Sequence, residues 1–249
     1  MLSVLQSDPA KHDIDPLELY ASAIDSSDYV SALAPLIRRA VPRVGRLLDV
    51  GAGGGQLGLA IHDTVRSWTA IEPSPTMRRR LARLTNAPDI VAAGWEQADV
   101  AERHDTVLAA TMPAFFDHPE RFLARCRDWA DTIVWVVPAH AGPKGLCFAG
   151  CLLPEWHRED VTPGIDIVMR GLSTSSHPPH VAFVDWTFTG VVPDLRELST
   201  WLANRLGWAA GDRRREDMTA HLARQAKRQE AGYRLDIPRK SAVLVWGQQ

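Results

Sequence analysis

The stretch from Arg46 to Gly58, R-L-L-D-V-G-A-G-G-G-Q-L-G, constrains the fold of this chain more than any other. Leu47, Leu48 and Val50, interrupted only by Asp49, form a short apolar run that collapses into glycine and resumes as Leu57, Leu59, Ala60 and Ile61. A short apolar run, a glycine cluster and apolar residues at helical spacing read as strand, tight turn and helix. Glycine lets the turn adopt positive φ and lets backbone N–H groups approach a ligand. The helix beyond presents its positive N-terminal end at the same place. The stretch therefore reads as a cradle for a nucleotide-like ligand.

Further apolar runs follow at Trp68–Ile71, Ile90–Ala93, Asp105–Ala110 and Asp131–Val137, separated by segments of helical spacing such as Pro119–Trp129. Strands alternating with helices specify a parallel sheet covered on both faces, because each crossover must return over the sheet. Val181–Phe188 and Lys240–Trp246 supply two more strands, with a helix from Asp194 to Gly207 and a polar, exposed helix over 211–230 between them. The expected fold is α/β: a doubly wound, mostly parallel seven-stranded sheet with helices on both faces and an antiparallel final strand. Before the glycine turn, Leu17, Leu19 and Tyr20, then Tyr29, Val30, Leu33, Leu36 and Ile37, recur at three- and four-residue spacing. They predict two helices with Ser26, Ser27 and Asp28 as caps between them, forming an N-terminal extension or lid over residues 1–43. Regular alternation fails between Ala139 and Pro179, where prolines and glycines punctuate short apolar patches. In such sheets ligands lie beyond the carboxyl ends of the strands, so residues 139–180 are read as a substrate-cap insertion in a domain spanning 44–249.

Composition excludes several classes. A net charge of −2 offers no overall basic field for nucleic acid, and the arginine triplets at 78–80 and 213–215 read as solvated helix faces. Three cysteines are too few for a disulfide framework, and no apolar run approaches the ~20 residues of a membrane span. The N-terminus lacks a basic start followed by an apolar stretch, so a soluble cytoplasmic protein is expected. Cys147-x-x-x-Cys151 with His157 matches no standard zinc spacing and reads as a helical core pair; no metal is expected. Trp135, Trp186, Trp201 and Trp246 read as core, whereas Trp156 is the tryptophan placed to touch a substrate.

Two ligands compete for the glycine turn. Gly53, Gly55 and Gly58 form a literal G-x-G-x-x-G dinucleotide fingerprint, which suits an NAD(P)-dependent oxidoreductase. That fingerprint places its first glycine directly after the strand. Here Gly51 holds that place, giving G-x-G-x-G at 51, 53 and 55, with Asp49 two residues earlier. The run D-V-G-A-G-G-G, followed by a second strand ending I-E-P-S at 71–74, resembles the first two motifs of the class I S-adenosylmethionine-dependent methyltransferases, whose pattern covers roughly residues 46–247.

The resemblance implies a Rossmann-like domain with S-adenosylmethionine as cofactor. It places Gly51, Ala52 and Gly53 along the methionine portion, Asp49 at its amino-acid end, and Glu72 as acceptor for both ribose hydroxyls. Pro73 and Met77 would border the adenine with Trp95 and Glu96, and Ala110 and Thr111 would pass beside the reactive methyl. The chain lacks the tetrad that marks amino-group methylases of nucleic acid, having Ala110-Thr111-Met112-Pro113 there, and the acceptor is read as a small molecule. Methyl transfer from a sulfonium needs a general base only when the acceptor must lose a proton early, and Asp117, His118, His140 and His157 are the candidates. A non-catalytic, methyltransferase-like partner subunit is the remaining alternative.

Overall fold

The computed structural model describes residues 14–143, 148–157 and 160–247. Two helices come first, α1 (Pro16–Ser26) and α2 (Tyr29–Ala40), then β1 (Leu47–Val50), α3 (Gln56–Ile61), β2 (Trp68–Ile71), α4 (Pro75–Leu81) and β3 (Asp89–Val91). β4 (His104–Ala110) leads into the single turn α5 (Ala114–Asp117), α6 (Pro119–Trp129) and β5 (Ala130–Pro138). Short 3-10 turns and α7 (Gly164–Gly171) then carry the chain to β6 (His180–Val192), α8 (Leu195–Arg205), α9 (Arg214–Gln225), β7 (Lys227–Gln229) and β8 (Gly232–Trp246). No helix among the described residues is long and apolar enough to cross a membrane.

The sheet runs β3-β2-β1-β4-β5-β8-β6. The first five strands in this order are parallel, and β8 is antiparallel to both β5 and β6. The long strands feed both cores by simple alternation. In β5, Ile133, Trp135 and Val137 pack with Phe122, Leu123 and Cys126 of α6 and Val168 of α7. Val134 and Val136 point the other way, onto a core containing Leu33 and Ile37 of α2, Ile61 of α3, and Leu198 and Leu202 of α8. Strand order reverses between β1 and β4, and a doubly wound sheet opens its ligand crevice at such a switch point.

Three features differ from the sequence reading. First, the polar helix expected over 211–230 stops at Gln225 and buries Met218 and Leu222; residues 227–229 form an eighth strand paired with the start of β8. Second, the last two long strands extend well beyond their apolar cores. Pairing of β5 with β8 ends at Pro138–Ser241, whereas β6 and β8 stay paired out to Val192–Tyr233. The segments 185–192 and 233–240 thus form a two-stranded arm that projects past the carboxyl end of β5, toward the crevice. Its alternation is diluted by Thr187, Thr189, Asp236 and Pro238, which hides it from pattern reading.

Third, Ser27 and Asp28 hold the C-cap of α1 and the N-cap of α2 as expected, but the Asp28 side chain makes no capping bond to its helix. Their side-chain oxygens accept hydrogen bonds from Thr189 N at 2.8 Å and Thr187 N at 2.6 Å, satisfying edge N–H groups of the arm. Within the described part of 139–180, α7 packs on β5, α5 and α6, and the turn Ala149–Cys151 packs on β8. Cys151 closes that 3-10 turn and does not lie on an α-helix; Cys147 lies outside the described residues.

Candidate active site

The glycine turn and the strands around it enclose a cavity of about 370 Å³ at the switch point. Gly51 and Gly53 adopt φ of 65° and 57°, and a Cβ built on Gly53 would meet nothing within 4 Å. The Gly53 backbone therefore lies open to the cavity. Gly58 has a different reason to be glycine: a Cβ there would fall 2.2 Å from Asp49 Oδ2 and 2.7 Å from the Trp68 ring. Helix α3 can seat against β1 and β2 only without that side chain.

Ten of the eleven residues expected at the cofactor line this cavity: Asp49, Gly51, Ala52, Gly53, Glu72, Pro73, Met77, Trp95, Ala110 and Thr111. Glu96 is the exception, because its carboxylate pairs with Arg121 at 2.7 Å. Arg121 also stands over the Trp95 ring, 5.4 Å from its centroid, and Phe122 meets that ring edge-on, so Trp95 is held against the cavity from outside. Tyr20, Ala21 and Ile24 of α1 and Tyr29 of α2 close the other side. The two helices expected as an N-terminal extension or lid thus form one wall of the cavity. Arg80 of α4 pairs with Glu18 and Asp25 of α1, and Gln56 of α3 donates to Asp25 at 2.7 Å, which ties α1 down over the opening.

Two buried carboxylates set the electrostatics. Glu72 accepts from Gly53 N and Ser74 N, each at 2.8 Å, so the end of β2 and the glycine turn position it together. An ionised carboxylate has roughly four acceptor sites, and two remain for a ligand that brings hydroxyl donors. Asp49 is buried at the end of β1, and its pKa is pushed up to about 8, first by burial and then by the charge on Glu72. Two acids in a mostly apolar cavity, with no lysine, arginine or histidine among its described lining residues, suit a cationic ligand rich in hydroxyls.

A second cavity of about 510 Å³ adjoins the first and shares Leu17, Tyr20, Thr111 and Pro113 with it. Thr111 marks the junction. It has φ of 59°, a conformation that a β-branched residue adopts only at a cost of about 1–3 kcal/mol, and such strain concentrates at functional sites. Tyr29 Oη lies 3.0 Å from Thr111 Oγ1, and the Tyr29 ring packs edge-on against Trp186 with centroids 4.8 Å apart. Burial holds the Tyr29 phenol well above its ordinary pKa, so it stays protonated.

Of the four base candidates, only His140 lines either cavity. Its Nε2 lies 2.7 Å from Arg239 Nη1 and, since arginine only donates, accepts that bond. Asp117 and His118 are exposed around the α5–α6 junction, and His157 is buried elsewhere. Trp156 packs against Trp208 and His221 and lines neither cavity. Instead Trp186 and Trp201, read from sequence as core, help wall the second cavity with Phe188, Arg205, Arg239 and Ser241. The spacing Trp186-x-Phe188 was the available signal, since alternate strand residues share one face.

Comparisons with known proteins follow the same lines. Residues 48–131 match the family described as Methyltransferase domain. No curated protein matches the sequence. Among solved structures, the plantazolicin methyltransferase BpumL in complex with SAH is 12% identical, with 95% of this chain aligned to 92% of that one at a TM-score of 0.51. A provisionally assigned type II methyltransferase from Anaeromyxobacter dehalogenans is 16% identical over 86% of this chain and 94% of that one, at 0.53. The glycopeptide N-methyltransferase MtfA complexed with sinefungin is 20% identical over 44% of this chain, at 0.38; the match spans about half, 54%, of that protein. Residues 48–131, from β1 to the start of β5, thus match a methyltransferase domain, and the chain as a whole shares the fold of the first two of these proteins.

Proposed function

We propose that the chain catalyses transfer of the methyl group of S-adenosylmethionine to a small-molecule acceptor seated in the second cavity. The observation that carries this reading is the junction at Thr111, where a cavity suited to the cofactor opens onto a larger one through a shared wall. When bound, the cofactor supplies a methyl carbon already activated by a sulfonium. An acceptor held in the second cavity would take that methyl in line, leaving the C–S electron pair on sulfur and releasing its own proton to solvent.

The residues divide the work by chemistry. Glu72 takes the ribose hydroxyls on its remaining acceptor sites, and Asp49 takes the ammonium of the methionine end. Gly51, Ala52 and Gly53 run along that end, while Pro73, Met77 and Trp95 flank the adenine. Ala110 and Thr111 border the sulfonium and its methyl. Helices α1 and α2 act as a roof, excluding water from both cavities through Leu17, Tyr20 and Tyr29. Alignment of donor and acceptor is the main source of acceleration in such an in-line displacement. The fixed Thr111–Tyr29 pair serves that alignment. His140 works through Arg239 and not as a base.

The dinucleotide alternative is weakened by register: β1 ends at Val50, so Gly51 directly follows the strand and Gly53, the first glycine of that fingerprint, does not. Calorimetry with S-adenosylhomocysteine tests the main reading. Wild type should bind it and NADH should not compete. Glu72→Gln should weaken binding by about 10- to 100-fold, as expected for losing charge-assisted bonds to two hydroxyls. Unchanged affinity in Glu72→Gln overturns the role of Glu72, and binding of NADH in preference overturns the proposed reaction.

A further inference from the structure

We infer that the second cavity selects an aromatic acid: a planar aromatic acceptor that carries a carboxylate and, at its other end, the hydroxyl or amine that receives the methyl group. The inference rests on the methyl-transfer reading and names its acceptor class.

The walls come first. Tyr20, Phe116, Phe148, Trp186, Phe188 and Trp201 line the cavity, drawn from α1, α5, the turn before Ala149, β6 and α8. Rings arranged around a space of about 510 Å³ favour a flat aromatic body, which gains both apolar burial and ring-to-ring contacts.

Charge then narrows the choice. The ionisable groups among the lining residues include Arg205, Arg239 and His140, and none of the described lining residues is an aspartate or glutamate. The adjoining cavity is the reverse, with Asp49 and Glu72 and no basic side chain among its described lining residues. A cleft lined by one sign of charge concentrates ligands of the other sign. On their described lining residues the two neighbouring cavities differ in sign, which sorts a cationic cofactor from an anionic acceptor.

Geometry prepares one of the arginines. His140 Nε2 accepts from Arg239 Nη1 at 2.7 Å, which puts the imidazole proton on Nδ1, 3.1 Å from Lys240 O. A neutral histidine thus steers the guanidinium, whose Cζ lies 5.9 Å from the centroid of the Phe188 ring. A guanidinium beside an aromatic wall offers a planar fork that matches a carboxylate in the plane of a stacked ring. Arg205, at the end of α8, stands 5.7 Å over the Trp201 ring and has no ion-pair partner among the described residues. Arg205, Arg239 and His140 belong to the second cavity alone, whereas Thr111 and Pro113 belong to both. The carboxylate is accordingly held away from the junction. The methyl-accepting atom is the substituent that reaches Thr111, where the C–S bond breaks toward sulfur, the O–C or N–C bond forms, and the displaced proton leaves to solvent.

The test uses the full chain saturated with S-adenosylhomocysteine, titrated calorimetrically with matched probes: 4-hydroxybenzoate and 6-hydroxy-2-naphthoate, their amides, and the corresponding arylmethylamines. At least one acid should bind about tenfold or more tightly than its amide, and the amines should bind most weakly. Arg239→Gln and, separately, Arg205→Gln should erase the advantage of the acid over the amide while S-adenosylhomocysteine affinity stays within about twofold. Arg205 is exposed at a helix end, so its variant keeps the test valid if Arg239→Gln fails to fold. Equal binding of acid and amide, preference for the amine, failure of both acids to bind, or an acid advantage that survives both substitutions overturns the inference. Each of these results leaves the methyltransferase reading standing, provided that S-adenosylhomocysteine still binds. Loss of that binding in wild type overturns the broader reading instead.

Discussion

Asp49 makes the proposed cofactor site sensitive to pH in a direction that is fixed in advance. In the structure its carboxyl is buried 97% from solvent contact, being only 3% exposed, and its pKa is raised to about 8 by burial and by the charge on Glu72. Near pH 7 about nine-tenths of the molecules therefore carry a proton on Asp49 before ligand arrives. A cationic ammonium placed against this carboxyl favours the ionised form, and binding must expel the proton. If the bound pKa returns to the ordinary value near 4, affinity rises by up to about tenfold per pH unit, or about 30-fold between pH 5.5 and 7, which is about 2 kcal/mol. The assay is calorimetry of S-adenosylhomocysteine binding in buffers of different ionisation enthalpy, which counts the protons released. About 0.9 proton should leave at pH 7, and Asp49→Asn should abolish both the release and the slope of affinity with pH. The folded protein without ligand shows the linked effect. The stability contributed by the Asp49 proton is fully present below the unfolded value near 3.8 and is lost as pH rises through about 8. Binding without proton release, or a slope retained in Asp49→Asn, refutes the assignment of Asp49 to the ammonium end.

Two further substitutions probe the walls of the site. Arg80→Ala removes the pairs to Glu18 and Asp25 that hold α1 over the cofactor cavity, at a cost of about 1 kcal/mol for partly exposed ion pairs. S-adenosylhomocysteine should dissociate about fivefold faster in stopped-flow measurements, and unchanged dissociation argues against α1 as a roof. Gly190→Ala places a Cβ 1.8 Å from the fully buried Phe148 ring and should cost about 1–3 kcal/mol by overpacking. That corresponds to a fall in Tm of roughly 2–4 °C per kcal/mol, read by calorimetric scanning, and the double variant with Phe148→Leu should recover part of it. A Tm unchanged in Gly190→Ala contradicts the packing of the arm against this turn.

The cofactor half of the site was legible because its signals are local. A glycine turn, the acid at the end of the next strand and the loop after the third strand each lie within a few residues of an apolar run, and a parallel sheet brings the ends of such runs together whatever the rest of the chain does. Glu96 lies outside the described lining of that cavity for an equally local reason: sequence proximity to Trp95 carries no information about which side chain faces in, and Arg121 draws its carboxylate from another helix. The sequence places the acceptor half in residues 139–180, and of the described lining of the second cavity His140, Pro143 and Phe148 come from there. Most of that wall is assembled from α1, the extended arm of β6 and β8, and α8, segments more than two hundred residues apart at their limits.

The amino-acid sequence by itself determined the order of the main strands and helices, the position of the glycine turn and the two acids that line the first cavity, since hydrophobic period and turn chemistry act over a few residues. Only the tertiary structure decided how far β6 and β8 continue beyond their apolar cores, because the pairing of one with the other and the side chains of Ser27 and Asp28 satisfy the arm's backbone there. It alone set Tyr29 beside Thr111 and gathered Arg205, Arg239 and His140 around one aromatic cavity. Charge and shape at the acceptor site are properties of that convergence, and no segment of the chain contains them alone.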